Sequence, residues 1–237
     1  MKKIILILFV ITANIIAQNY TVEKISGNVQ ALIGTSENWV KVSARQKLKG
    51  TDLISTGEKS FIQLSGNGNK FILQSNSALG LSSIKKMTLN ELLLALAMEE
   101  IQNVPKTKSN QFTRNTAVYG SEVSTSKPAP VQVSDIGMKK INGAKQLAQD
   151  GFKESAILVA KETFRKYPDT KRQIRDRIYF ADLMIRMNLN NEAEQELKQI
   201  SSLSLNSDEK KEVDEKIEQL KKANLDKNAA NAKAMGK

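Results

Sequence analysis

The spacing of apolar residues changes once along this chain, and that change limits the fold more than any other feature. From Tyr20 to Ser83 apolar and polar residues alternate, whereas from Asp135 to Leu225 apolar residues recur every three to four positions. Alternation places successive side chains on opposite faces of a strand, and the longer spacing lines one face of a helix. The pattern therefore predicts an α+β fold with its elements in separate domains: an N-terminal all-β roll or sandwich and C-terminal α-helical hairpins. Seven strands are expected, at 20–25, 28–33, 39–42, 53–55, 61–64, 70–73 and 78–82, with glycines marking the turns between them. Gly66-Asn67-Gly68-Asn69 reads as a hairpin turn. No Lys-Ser/Thr follows it and no helix starts there, so a phosphate loop is not expected.

Composition narrows the chemistry. The 237 residues include no cysteine and no histidine. Disulfides, thiolate metal sites, a cysteine nucleophile and the one side chain that titrates near neutrality are thereby excluded. The acids of the β half, Glu23, Glu37, Asp52 and Glu58, lie near turns and form no pair on one strand face. The chain is expected not to be an enzyme and to need neither cofactor nor metal.

The first seventeen residues read as a cleavable export signal. Lys2-Lys3 precedes an apolar run from Ile4 to Ile16, and Ala17-Gln18 is the expected cleavage point, with Ile15 an unusual residue just before it. The run is shorter than the roughly 20 residues of a spanning helix. Lys2 and Lys3 leave with the signal, taking the net charge from +11 to +9. A lipid anchor would need a cysteine at the cleavage site. The mature protein is thus expected in the periplasm or secreted, not as a lipoprotein, with membrane contact at most peripheral.

Several residues of the β half occur in the order of a known family. Val22, Gly27 and Val29 are followed by Trp39-Val40-Lys41-Val42, and then by Leu48, Gly50, Asp52, Ile54, Thr56, Gly57 and Ser60. This stretch resembles the FecR domain, and Phe112–Ser121, with Ala117, Val118 and Gly120, is similar to the strand that ends such domains. The resemblance implies an extracytoplasmic protein-interaction domain over 18–120. Its motif residues have structural uses: Asp52 beside Gly50 can accept backbone N–H groups across a turn, Trp39 can close one end of the core, and Thr56-Gly57 is a tight turn. FecR-type regulators of sigma factors carry a cytoplasmic segment before a membrane helix, so this chain is expected to differ from them.

Inside that region, 88–104 breaks the β pattern. Leu89, Leu92, Leu93, Leu96, Ala97 and Ile101 follow helical spacing, Thr88 and Glu91 form a capping box, and Pro105 closes the segment. Such a helix either covers an open face of the β unit or protrudes to dock a partner. Residues 121–134, with Pro128-Ala129-Pro130, read as a linker.

Beyond it the chain repeats. Gly151, Ala156, Phe164 and Tyr167-Pro168-Asp169 make one unit; Tyr179, Ala181, Met184, Ala193 and Leu197 make the next, with Ala156 and Ala193 standing 37 positions apart. The spacing is similar to tetratricopeptide (TPR) repeats, especially those of periplasmic and outer-membrane assembly proteins. Helices are expected at 136–149, 152–166, 171–187, 191–201 and 208–224 within a domain spanning 135–225, followed by a disordered tail at 226–237. Two hairpins and a cap are short for a solenoid, so this half is expected to lean on the β domain. Its densest basic patch is Lys161, Arg165, Lys166, Lys171, Arg172, Arg175 and Arg177. Within it Lys166, Lys171, Arg172 and Arg175 are the candidate partner-binding residues. The expected partners are proteins of the periplasm or envelope rather than nucleic acid, because few aromatics are present to stack bases. A scaffold is the leading reading, a glycan- or peptidoglycan-associated module the second, and a carboxylate enzyme a distant third.

Overall fold

Side chains in the N-terminal half sort by face as their alternation predicts. The computed structural model of the chain describes residues 19–103 and 133–235. Among these residues eight strands run in chain order: β1 (Asn19–Ser26), β2 (Val29–Leu32), β3 (Trp39–Lys41), β4 (Lys47–Lys49), β5 (Leu53–Thr56), β6 (Phe61–Gly66), β7 (Asn69–Leu73) and β8 (Ala78–Gly80). They make two antiparallel four-stranded sheets, ordered β4-β1-β6-β7 and β3-β2-β5-β8. Tyr20, Val22, Leu64 and Phe71 from the first sheet and Val29, Ala31, Ile54 and Leu79 from the second share one buried core. Gly66 pairs with Asn69 across the expected hairpin, with Asn67 and Gly68 both at positive φ.

β4 was not expected. It is one apolar residue, Leu48, between two lysines, too short to show a period, yet Leu48 is buried opposite Tyr20. Trp39 also departs from expectation. It is half-buried on edge strand β3, and Val42 is the buried residue of its segment.

The other motif residues build turns. The Gly34 and Lys49 N–H groups donate to the two carboxylate oxygens of buried Asp52, each at 2.8 Å. Asp52 thereby ties two loops together, beside the turn that holds Gly50. The Ser77 N–H donates to Thr56 Oγ1 at 3.0 Å, and that hydroxyl donates to the Gln74 carbonyl at 2.5 Å. The Gly57 N–H bonds the Asn28 carbonyl at 2.8 Å. Gly27 needs its missing side chain: its φ is +74°, and a Cβ there would come within 2.3 Å of Ser60 Oγ.

Among the described residues six α-helices follow the strands: α1 (Leu89–Asn103), α2 (Val133–Gln149), α3 (Lys153–Lys166), α4 (Ile174–Arg186), α5 (Asn190–Ser201) and α6 (Ser207–Met235). Fold segregation along the chain is therefore as expected, while several bounds differ. α2 begins inside the stretch read as linker. Pro168–Arg172 is a 3-10 turn, and α4 starts only at Ile174. α6 continues as helix through the stretch expected to be a disordered tail, as far as Met235. The signal segment and Gly120, with the match around it, lie outside the described residues. No helix among those described is long and apolar enough to cross a membrane.

The two halves share an interface. α2 lies along β8. At its centre a Cβ on Gly143 would stand 2.3 Å from the Ala78 carbonyl oxygen. Asn142 Nδ2 donates to the Asn76 carbonyl (2.8 Å), the Gln74 N–H donates to Gln146 Oε1 (2.6 Å), and Gln146 Nε2 reaches Ser77 Oγ (2.6 Å). Phe71 of β7 meets Phe152 edge-on, with centroids 6.3 Å apart. Buried residues from Tyr20 to Leu220 form a single cluster, so the helical half does lean on the β unit.

Candidate functional site

Two surfaces stand out from this frame. The first is α1. Its start is the expected capping box, with the Thr88 N–H donating to Glu91 Oε2 (2.7 Å) and the Glu91 N–H donating to Thr88 Oγ1 (3.2 Å). The backbone and hydroxyl of Thr88 hold the Glu91 carboxyl below its usual range. Leu92 and Leu96 are buried, and α1 packs on α3 rather than on a sheet face. Arg165 of α3 grips Glu99 through Nε at 2.6 Å and Nη2 at 3.3 Å. The opposite face is apolar as well. Leu94, Met98 and Ile101 are 65%, 55% and 72% exposed and lie at i, i+4 and i+7, one continuous stripe. Ile101 and the half-exposed Leu89 therefore do not join the buried face that their spacing suggested.

The second surface is a cavity of about 390 Å³ between α3, the 3-10 turn, α4 and α5, lined by Lys161, Phe164, Arg165, Lys171, Arg177 and Glu196, among others. Glu196 sits at its floor with a side chain only 2% exposed. Lys161 Nζ donates to its Oε2 at 2.8 Å and Arg177 Nε to its Oε1 at 2.6 Å. Arg177 also reaches Gln199 Oε1 (3.4 Å) and stacks over the Phe164 ring. Burial alone would raise the Glu196 carboxyl, but Lys161 and Arg177 outweigh it and hold the group below the usual carboxylate range.

Of the four candidate partner-binding residues, only Lys171 reaches this cavity. Lys166 pairs with Glu162 one turn back on α3, and Arg172 and Arg175 stand exposed away from it. The repeat residues serve packing: Ala156, Ala181 and Ala193 are fully buried between helices, Gly151 turns α2 into α3, and Pro168 opens the 3-10 turn. Glu196 was missed, and Arg177 was read as part of the basic patch but not as a candidate, although both had a signal. Glu196 lies three residues after Ala193 and four before Ile200, and Arg177 lies three after Ile174 and four before Ala181, so each falls on an inward face.

Among the described residues no three acidic side chains gather as a metal site would require. Compared with family models, with curated proteins and with solved structures, the chain matches none.

Proposed function

We propose that this chain is a non-enzymatic scaffold of the cell envelope that is exported by its N-terminal signal and docks a protein partner on α1. The exposed stripe Leu94–Met98–Ile101 carries this reading. A helix already packed through Leu92 and Leu96 gains nothing for its own fold from three more large apolar residues in water, and contiguous exposed apolar surface marks interaction sites. The stripe is flanked by Glu91 and Glu100, and α1 has no basic residue. The partner that fits is therefore a protein segment with an apolar face and a basic margin. The FecR-like turn residues and the TPR-like alanines support the same reading, since both families work by binding proteins. The positive n-region and apolar run of residues 2–16 support export.

Replacing Leu94, Met98 and Ile101 together by Asn tests the docking face. Because the three are exposed, stability is expected to change by less than about 0.5 kcal/mol each. Protein recovered with the tagged chain from the envelope fraction is expected to fall roughly tenfold or more, as losing central apolar anchors does elsewhere. The recovered chain is expected to begin near Gln18. An unchanged partner set, or a chain with intact Met1 in the cytosol, would contradict the proposal.

A further inference from the structure

We infer that the cavity between α3, α4 and α5 is a second binding site, one that takes a glutamate side chain of an acidic protein segment. It is independent of the α1 stripe. The argument starts from a charge imbalance. Two cations, Lys161 and Arg177, meet at one carboxylate, Glu196, and all three are largely removed from water, Arg177 to 6% and Glu196 to 2% exposure. One positive charge is left over in a place where unbalanced charge is costly. Arg165 adds nothing to the surplus because Glu99 neutralises it. Lys171, on the 3-10 turn at the rim, is exposed and has no ion pair among the described residues.

The surplus therefore has two parts, one charge on the floor and one at the rim. A monovalent carboxylate matches the floor, where it can take charge-assisted hydrogen bonds from Lys161 and Arg177. Phosphate would bring more charge than the floor can balance. The walls favour a side chain over a free ion: Phe164 and Leu203 offer apolar surface to a methylene stem. A second acid further along the same segment would meet Lys171. Gln199 and Ser202 supply the remaining polar wall.

The test uses the purified full chain and a hexapeptide labelled on its N-terminal amine, fluorescein-Ala-Glu-Leu-Glu-Ala-Ala-amide, read by anisotropy at low salt. Its Gln-for-Glu counterpart is expected to bind about tenfold more weakly. Lys161→Gln is expected to weaken the Glu peptide about tenfold and Lys171→Gln about threefold, while Lys210→Gln, on exposed α6, leaves it unchanged. Lys171 is exposed, so its variant remains informative even if Lys161→Gln fails to fold. Free glutamate is expected to compete better than inorganic phosphate. Equal binding of the Gln peptide, an unaltered affinity in Lys171→Gln, or stronger competition by phosphate would each overturn the assignment.

Discussion

Gly143→Ala is expected to destabilise the protein, although helix propensity alone points the other way. Alanine in the middle of α2 gains about 1 kcal/mol over glycine through backbone entropy. Here the added Cβ would sit 2.3 Å from the Ala78 carbonyl oxygen, with the Ala78 carbonyl carbon at 3.1 Å. Both are backbone atoms of a paired strand, so no side chain can swing aside to make room. Forcing extra carbon into such a contact costs about 1–3 kcal/mol or more, and the displaced helix would also strain the Asn142 and Gln146 bonds to the strand's neighbours. A net loss of about 1–2 kcal/mol in urea unfolding is expected, with the wild type unfolding in one transition and the variant separating its two halves. A variant as stable as wild type, or more so, would show that α2 does not press on β8.

Glu196→Gln is expected to cost more, about 3–5 kcal/mol, because it leaves Arg177 and Lys161 buried without their anion. The substitution keeps the size of the side chain, so packing is not the cause of the loss; it removes the charge and turns one of the two accepting oxygens into an NH2 group that faces a donor, Lys161 or Arg177. The pH dependence provides a second readout. The folded protein holds the Glu196 carboxyl below its ordinary 4.5. Its contribution is therefore fully present above that ordinary value and is lost as the pH falls through the lower, folded one. Thermal unfolding from pH 7 to pH 3 is expected to show a smaller acid-side loss in Glu196→Gln than in wild type. Parallel curves would mean that Glu196 is not the charged centre of the network.

Both predictions rest on residues whose neighbours lie far away in sequence, and this marks the limit of what the chain disclosed by itself. The change from alternation to helical spacing correctly put β structure in the first half and helices in the second, because a face either points into a core or does not. The hairpin at Asn67-Gly68 and the cap at Thr88 and Glu91 were legible because both partners of each bond are local. Gly143 gave no warning: a glycine inside a helix looks like a weak spot until the strand packed against it is known. Trp39 misled because aromatic bulk suggests core, whereas its strand is an edge. Glu196 stands among Glu192 and Glu194, where charge alone does not set it apart, and only its spacing from Ala193 and Ile200 turns it inward. On α1 the sequence offers apolar residues on nearly every side, and only the position of α3 decides that Leu92 and Leu96 are covered while Leu94, Met98 and Ile101 are left in water.

That exposed stripe is the proposed docking face, and its partner can be captured in living cells. A photo-crosslinking amino acid, p-benzoylphenylalanine, is placed at position 98 on α1 and, as a control, at the exposed position 210 on α6. After irradiation a discrete protein adduct is expected from position 98 in the envelope fraction and none from position 210. Absence of an adduct at 98, or the same adducts from both positions, would contradict docking of a partner on α1.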